Sequence, residues 1–323
     1  MRIKSALAIA GLCLFGLLGT AGAAVDEEAS GKCMKCHEDE EWAKMSKTPH
    51  AVSADKRTPT CVTCHGASDK HANHPRGGGK RPGPDRMFSG KTAVSADDAS
   101  AVCQTCHDKD PKRALWSGSQ HPAADVSCNS CHKVHVDRDK VLSKLTQPDV
   151  CYTCHKEQRT QVNRYSRHPI LEGKMTCSDC HNVHGSVGPK LAKRDSTNDT
   201  CYTCHAEKRG PFAHPHQPVT EDCALCHNPH GSTIAAMLKA RPPMLCQQCH
   251  TPHVAGEVGA VGGQRGVFPP PAPGQTQSAV TSNSSGKNVV NIWQGRSCAN
   301  CHTQVHGSNN PAATNPTPQF MFR

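Results

Sequence analysis

Cysteine and histidine recur in this sequence in one arrangement, C-x-x-C-H, which occurs ten times. This is the attachment motif of c-type haem. One turn of backbone places two thiols where they can add to the two vinyl groups of a porphyrin, and the adjacent histidine then lies under the iron as its proximal ligand. The spacing predicts ten covalently attached haem c groups, held by Cys33/Cys36/His37, Cys61/Cys64/His65, Cys103/Cys106/His107, Cys128/Cys131/His132, Cys151/Cys154/His155, Cys177/Cys180/His181, Cys201/Cys204/His205, Cys223/Cys226/His227, Cys246/Cys249/His250 and Cys298/Cys301/His302.

Two other uses of cysteine account less well for the pattern. A disulfide framework of an exported protein gives no reason for a histidine after every second cysteine. Zinc sites use C-x-x-C pairs without requiring that neighbouring histidine each time. Of the 21 cysteines, only Cys13 lies outside the motifs, so the haem interpretation leaves no mature cysteine over.

Twelve further histidines are candidates for the second axial ligand: His50, His71, His74, His121, His135, His168, His184, His214, His216, His230, His253 and His306. About two of these histidines accompany each pair of haem motifs. The odd motifs that begin at positions 103, 151, 201 and 246 recur at 45 to 50 residues, which indicates a dihaem repeat. Choosing one histidine from each of the doublets 71/74 and 214/216 gives ten distal ligands for ten haems. His216 is preferred, since it precedes Cys223 by seven residues, as His121 precedes Cys128.

The second histidine of C-A-L-C-H-N-P-H has a geometric constraint. His227 and His230 are three residues apart, so on a helical turn they project from roughly the same side. His230 cannot reach the opposite face of the haem that His227 serves, so we expect it to ligate a different haem. The same argument applies to His135, His184, His253 and His306. Each such histidine would tie two haems together, close enough for fast electron tunnelling.

Two histidines per haem decide between classes of function. A six-coordinate iron has no open position for a small substrate, so the count predicts electron transfer and not catalysis. No motif replaces its proximal histidine with lysine, as the active-site haem of a nitrite reductase typically does.

The composition indicates that the haems themselves form the core. Aromatic residues make up 4% of the chain, and it contains 26 glycines and 24 prolines. Such a chain buries too little apolar surface to offset its ordering entropy, and porphyrins would supply what the side chains lack. We therefore expect a multihaem cytochrome c that is mostly irregular, with short α-helices, little or no sheet, and an elongated haem ladder. The apoprotein is expected to be largely unfolded.

The N-terminus has the anatomy of a secretory signal peptide. Arg2 and Lys4 precede an apolar run over 6–19 and the small residues at 21–23, which predicts a signal peptide over 1–23 and export to a bacterial periplasm. The apolar run is shorter than the roughly 20 residues that span a bilayer, and no other segment looks able to cross one as a helix.

The net charge of +10 becomes +8 without the signal peptide. Haem propionates reverse this excess, about two negative charges per haem, so nucleic acid is not an expected partner. Residues 72–94 form a basic, Gly/Pro-rich loop that we interpret as solvated. Residues 254–296 contain no cysteine or histidine, and they are either a linker or a loop that packs on a partner.

At this point the chain resembles the periplasmic decahaem cytochromes of the MtrA, DmsE and PioA type, over about 27–323. The resemblance rests on ADVSCNSCHKVHV, VLSKLT, MTCSDCHNVHGS, NDTCYTCHAEKRGP, PVTEDCALCHNPHGS, LCQQCH and GRSCANCHTQVHGSN. It implies a ladder of bis-histidine haems in two pentahaem halves, 24–160 and 161–323, threaded through a β-barrel porin of the outer membrane. It also implies His71 and His216 as distal ligands.

The leading hypothesis is an electron wire across the outer membrane. It would link a periplasmic cytochrome with extracellular iron or other acceptors or donors, with an extracellular multihaem cytochrome as a possible further partner. A soluble periplasmic shuttle to a reductase is the alternative, and a multihaem reductase with one open haem is the third. The sequence leaves the direction of electron flow open.

Overall fold

The computed structural model describes residues 27–37, 44–51, 58–250, 298–300 and 302–309. The predicted signal peptide and the 254–296 loop lie outside these residues. The α-helices are α1 (Glu27–Met34), α2 (Cys61–His65), α3 (Asp69–Ala72), α4 (Ala96–His107), α5 (Gln120–Ala123), α6 (Cys128–Cys131), α7 (Gln147–Cys151), α8 (Lys156–Val162), α9 (Cys177–Cys180), α10 (Thr197–Tyr202) and α11 (Gln217–Glu221).

Short 3₁₀ turns and one pair of strands complete the secondary structure of this part of the chain. The 3₁₀ turns are Pro49–Ala51, Pro111–Arg113, Trp116–Gly118, Lys140–Leu142, Pro189–Leu191, Ala206–Lys208, Cys223–Leu225, Ala235–Met237, Cys246–Gln248 and Cys298–Asn300. Strands β1 (His214–Pro215) and β2 (Gly307–Ser308) pair antiparallel, with His214 opposite Ser308. The prediction of a mostly irregular chain with short helices and little sheet is confirmed.

The chain divides into two units. The first comprises Met1–Val94 and Val134–Arg138, and the second comprises Ser95–Lys133 and Asp139–Arg323. The two predicted pentahaem halves, 24–160 and 161–323, stay a prediction. In the part of the chain that the structure describes, no helix is long and apolar enough to cross a membrane.

The helices at the even haem motifs Cys61–His65, Cys128–Cys131 and Cys177–Cys180 begin at a capping residue directly before the first cysteine. The Thr60 hydroxyl accepts a hydrogen bond from the amide of Thr63 at 3.2 Å, and the Thr63 hydroxyl accepts one from the amide of Thr60 at 3.1 Å. Ser127 and Thr176 begin equivalent capping boxes at the next two even motifs. Asp222 caps the eighth motif through the amide of Ala224 at 2.7 Å. Capping satisfies the amides that a single turn leaves unpaired, so each C-x-x-C segment keeps its helical spacing.

A buried or half-buried polar side chain from the segment before four of the odd motifs holds the start of the following even motif. The side-chain oxygen accepts a hydrogen bond from a backbone amide in four repeats: Ser30 from Cys61 at 3.2 Å, Ser100 from Cys128 at 3.4 Å, Gln147 from Ser178 at 3.0 Å and Asn198 from Cys223 at 2.7 Å. Ser30, Ser100 and Asn198 are at most 6% exposed. These contacts make the pair of motifs, and not the single motif, the structural repeat.

Replacing Asn198 with alanine is expected to destabilise its repeat. Asn198 also donates hydrogen bonds to the carbonyls of Val219 at 2.9 Å and Thr220 at 3.2 Å, so alanine removes the partner of three backbone groups that are partly buried. Each buried group left without a partner costs about 1–3 kcal/mol. Urea unfolding of the haem-loaded protein measures the loss.

The matched control is Asn163→Ala. The exposed Asn163 side chain donates to one local carbonyl, that of Arg159, at 2.7 Å. Equal urea midpoints for the two variants would contradict the structural role of Asn198.

Few apolar side chains of the described residues are buried. They are Ala51, Ala99, Trp116, Tyr152, Val162, Leu191 and Ala192. Several large apolar side chains are exposed instead: Leu142 is 76% exposed, Leu145 71% and Val187 76%. A polypeptide of this kind has little core of its own, which is what the composition predicts for a chain organised around cofactors.

Candidate haem-binding sites

The cysteines are available for covalent attachment. The nineteen cysteines that the structure describes are all free thiols, and all belong to C-x-x-C-H motifs. In the motifs the amide of the histidine donates to the carbonyl of the first cysteine, for example His132 to Cys128 at 2.9 Å and His181 to Cys177 at 3.0 Å. This single closed turn fixes both thiols and the imidazole relative to one another. Cys301 of the tenth motif lies outside the described residues.

The first cysteines of the odd and even motif in a repeat contact each other through their thiols. The hydrogen-bonded pairs are Cys33 with Cys61, Cys103 with Cys128, Cys151 with Cys177, Cys201 with Cys223, and Cys246 with Cys298. The contact lowers the pKa of the Cys177 thiol, because the Cys151 thiol stabilises its thiolate. Two attachment points in each repeat therefore lie side by side.

The second cysteines of the odd motifs differ from the first in their surroundings. In the odd motifs the first cysteine is half-buried but the second is exposed; these exposed second cysteines are Cys36, Cys106, Cys154, Cys204 and Cys249. The thiols of Cys106 and Cys154 accept hydrogen bonds at 3.8 Å from the hydroxyls of Thr105 and Thr153, their own neighbours in the chain. The contact between the motifs of a repeat covers only the first thiol of each odd motif.

The second cysteines of the even motifs are more enclosed. Those that the structure describes, Cys64, Cys131, Cys180 and Cys226, are all half-buried. Burial raises the pKa of the thiols of Cys131, Cys180 and Cys226. Odd and even motifs thus present their second thiol in two different environments, a difference that the identical C-x-x-C-H spacing does not reveal. The haem thioether at each second cysteine stays a prediction.

The histidine rings also come in pairs, each joining a motif histidine to one outside the motifs. Eight such pairs can be described, with ring centres 6.0 to 6.3 Å apart: His37 with His71, His65 with His135, His132 with His184, His155 with His121, His181 with His230, His205 with His168, His227 with His306 and His250 with His216. The spacing is too wide for direct stacking of two rings.

The spacing between paired rings fits one metal ion. A bond from a metal to an imidazole nitrogen is about 2.0–2.1 Å long. Two such bonds, with about 1 Å from each nitrogen to its ring centre, add to about 6 Å. The residues present therefore fit an iron with an imidazole on either side, as in a bis-histidine haem.

The orientation of the histidine rings also fits ligation of a metal ion. Seven histidines of these pairs have Nδ1 within 3.0 Å of a backbone carbonyl: His65 with Arg86, His71 with Pro82, His121 with Val183, His168 with Pro229, His181 with Lys190, His216 with Val305 and His227 with Ala236. An eighth, His132, has Nδ1 2.7 Å from Oδ2 of Asp139. A proton on Nδ1 leaves Nε2 as the free ligand nitrogen, which is how protein histidines are held toward a metal.

The pairing follows the repeat. His230 pairs with His181 while His227, three residues earlier, pairs with His306, so the two histidines of C-H-N-P-H lie beside different motifs. His135, His184, His230 and His306 each follow an even motif and pair with the preceding even motif, whereas His71 follows the first even motif and pairs with His37 of the odd motif before it. Those between the odd and even motif of a repeat, His121, His168 and His216, pair with the odd motif of the next repeat. In the second unit, repeats therefore contribute histidines that pair with a motif of the next repeat and histidines that pair with a motif of the previous one.

The ring pairs distinguish the two histidines within each of the doublets 71/74 and 214/216. His71 and His216 lie in ring pairs, as the resemblance implied. His74 turns its Nδ1 to the carbonyl of the adjacent Pro75 at 3.1 Å, and His214 lies in β1. His50, His107 and His302 make contacts of their own, and their role as ligands stays a prediction. His253 lies outside the described residues.

The sequence analysis missed a glycine that each linked segment requires. Gly185, Gly231 and Gly307 directly follow distal histidines and have φ of +122°, +135° and +142°. A Cβ on Gly185 or Gly231 would overlap the backbone carbonyl of Leu115 or Gln161, and one on Gly307 would overlap the Phe212 ring. The recurrence of His-Gly at 184, 230 and 306 was the available signal.

Replacing Gly231 with alanine is expected to loosen the segment that carries His230. The strained φ alone costs about 1–3 kcal/mol, and the overlap with Gln161 adds to it. We expect a lower urea midpoint of the haem-loaded protein and some high-spin ferric haem. Gly118→Ala is the control, since nothing lies within 4 Å of its Cβ position. A Gly231 variant as stable as that control would contradict the close approach.

Known proteins resemble the chain over most of its length. Residues 168–210 and 216–255 match the doubled CXXCH motif family, and residues 61–147 match the NrfB-like cytochrome c-type proteins. The chain is 42% identical over 293 residues to the multihaem cytochrome MtrA of Shewanella baltica strain OS185, covering 88% of this chain and 80% of that protein. It is 29% identical over 136 residues to the cytochrome c-type protein NrfB of Escherichia coli O6:H1, covering 41% of this chain and 68% of that protein.

The C-x-x-C-H turns, their free thiols and these matches define a multihaem c-type cytochrome, which binds haem c covalently and transfers electrons. Within that class, the chain belongs to the family of the multihaem cytochrome MtrA.

Proposed function

We propose that this cytochrome carries ten haems with two histidine ligands each and conducts electrons across the bacterial outer membrane without a substrate reaction of its own. The observation that carries the proposal is the set of eight histidine pairs at 6.0 to 6.3 Å. Haem supplies one-electron chemistry at its iron when bound. Two histidines would hold each iron, which would leave no position for oxygen, nitrite or sulfite.

The protein residues have three tasks in this function. The thiols hold each haem covalently, and their contacts within a repeat keep two attachment points adjacent, as between Cys151 and Cys177. Histidines such as His230 tie one repeat to the next. The Nδ1 contacts hold eight of the paired rings in a fixed orientation, which limits the reorganisation of those ligands during electron transfer. His50, His107, His253 and His302 complete the proposed twenty ligands.

The location and partners rest on the family. Resemblance to outer-membrane conduits supports an elongated ladder, in two pentahaem halves, in the periplasm inside a β-barrel porin. A periplasmic cytochrome would exchange electrons at one end, and extracellular iron or an extracellular multihaem cytochrome at the other. Irregular backbone crosses a membrane only where it is shielded from lipid, and a closed barrel provides that shield. The exposed Leu142 and Val187 are compatible with an environment other than bulk water.

The test has two parts. Mass spectrometry of the purified protein counts the attached haems, and electron paramagnetic resonance of the oxidised form reports their spin state. Ten haems with only low-spin signals are expected; fewer haems, or a strong high-spin signal in the native protein, would contradict the ligation.

The second part concerns the membrane. The cytochrome is expected to co-purify with a barrel protein and to pass electrons from an external donor to a dye sealed inside liposomes when both are reconstituted. A cytochrome that never associates with a barrel would make it a soluble shuttle and would overturn the conduit role.

A further inference from the structure

The motif histidine His132 differs from its counterparts in what its Nδ1 contacts. Oδ2 of Asp139 lies 2.7 Å from His132 Nδ1, and the Asp139 side chain is only 12% exposed. The other carboxylate oxygen of Asp139 accepts a hydrogen bond from the amide of Val141 at 3.3 Å. The carboxylate is therefore held in place by the 3₁₀ turn that follows it.

The equivalent position in three other even motifs is a neutral carbonyl. His65 contacts the carbonyl of Arg86 at 3.0 Å, His181 that of Lys190 at 3.0 Å, and His227 that of Ala236 at 2.7 Å. In the last two cases the acceptor comes nine residues after the histidine, where the chain folds back on the motif. Asp139 comes seven residues after His132 and supplies a charged acceptor in the same place.

One other carboxylate approaches a motif histidine, and its geometry is weaker. Oε1 of Glu207 is 3.7 Å from Nδ1 of His205, and the Glu207 side chain is 61% exposed. That distance is beyond a hydrogen bond, and solvent screens the charge. The contact of Asp139 with His132 is short and shielded from solvent, in contrast to that of Glu207 with His205.

A carboxylate on the outer nitrogen of a ligand histidine has a known physical effect. It makes the imidazole a stronger donor to its metal, and its negative charge favours the more positive oxidation state. Both effects stabilise ferric over ferrous iron.

We propose that Asp139 is a positioning residue that lowers the reduction potential of the haem held by His132 and His184. The proposal rests on the proposed bis-histidine ligation, which for this pair is supported by rings 6.1 Å apart and 14° from parallel. It makes this haem differ from those of the motifs of His65, His181 and His227 through one side chain. In a chain of haems, transfer of an electron to a haem of lower reduction potential is less favourable in free energy than transfer to its neighbours.

The test is a redox titration of the haem-loaded Asp139→Asn protein, followed optically and by electron paramagnetic resonance. Asparagine keeps an acceptor oxygen of the same shape and removes only the charge. We expect the part of the absorbance change that comes from one haem to be titrated at a higher potential than in the wild type. One low-spin signal in the electron paramagnetic resonance spectrum is expected to change with it. Asp139→Glu, which restores the charge, is expected to move that part back towards the wild-type position.

The matched control is Asp137→Asn. Asp137 is exposed, two residues away, and its loss changes the net charge of the protein equally. The proposal is overturned if the titrations of the Asp139→Asn and Asp137→Asn proteins superimpose. Asp139→Ser provides a second neutral acceptor; if it and Asp139→Asn both lose haem, Asp139 is a structural residue and the proposal fails.

A third variant separates this proposal from the proposed function. His184→Ala is expected to turn the same low-spin signal high-spin. If it does so while Asp139→Asn leaves the potentials unchanged, only the role of Asp139 is wrong. If His184→Ala leaves every haem low-spin, the ligation itself is wrong.

Discussion

The chain produced without haem is expected to lose most of its helical structure and to be digested rapidly by trypsin. Its helices are too short to persist alone, since the longest described one, Ala96–His107, has twelve residues, and isolated helices of that length are marginal in water. The seven buried apolar side chains of the described residues include three alanines, so packing adds little. The free energy of folding must come largely from the bound cofactor.

Expression in the cytoplasm without residues 1–23, where haem is not attached, provides the apoprotein. Far-UV circular dichroism and limited proteolysis are then compared with those of the exported, haem-loaded protein. The exported protein is the control, because it has the same mature sequence. An apoprotein with the same circular dichroism spectrum and protease resistance as the loaded form would show that the polypeptide has a sufficient core.

Replacing His230 with alanine is expected to open one haem of the ten. Its partner in the structure is His181, with ring centres 6.1 Å apart, so the haem of the sixth motif would keep only its proximal ligand. A five-coordinate ferric haem is high-spin, and its ferrous form binds carbon monoxide, which a bis-histidine haem resists. We expect about one carbon monoxide bound per chain after reduction, against none in the wild type, and slower electron transfer between the ends.

His74→Ala is the matched control for this experiment. His74 carries the same ring but turns its Nδ1 to Pro75, and His71 occupies the place beside His37. The control is expected to bind no carbon monoxide. High-spin haem in the His74 variant, or its absence in the His230 variant, would contradict the ligand set.

The sequence predicted the attachment sites because their chemistry is local. The five residues of C-x-x-C-H form one turn, capped by a residue such as Thr176, and nothing distant is required to bring Cys177, Cys180 and His181 together. The same holds for the low sheet content, which follows from composition and from the many glycines and prolines. The spacing of His227 and His230 was also enough to predict that they serve different haems.

The partners of the histidines were beyond the sequence because they depend on contacts between distant residues. Nδ1 of His216 contacts the carbonyl of Val305, 89 residues away, and that of His121 contacts Val183 across 62 residues. Which distal histidine reaches which motif is decided by how repeats pack, and packing is set by close approaches such as Gly231 against Gln161. No local pattern records those approaches except the recurring His-Gly.

The contact between Asp139 and His132 also could not be predicted from the sequence, although the two residues are only seven positions apart. The sequence by itself determined that ten C-x-x-C-H motifs and a repeat of motif pairs are present, because the spacing of each motif lies within five consecutive residues. Only the tertiary structure decided the ring pairs and the acceptor at each ring, among them the carboxylate of Asp139 on His132. The physical reason is that a hydrogen bond depends on the final position and direction of two groups, which the folded backbone alone fixes.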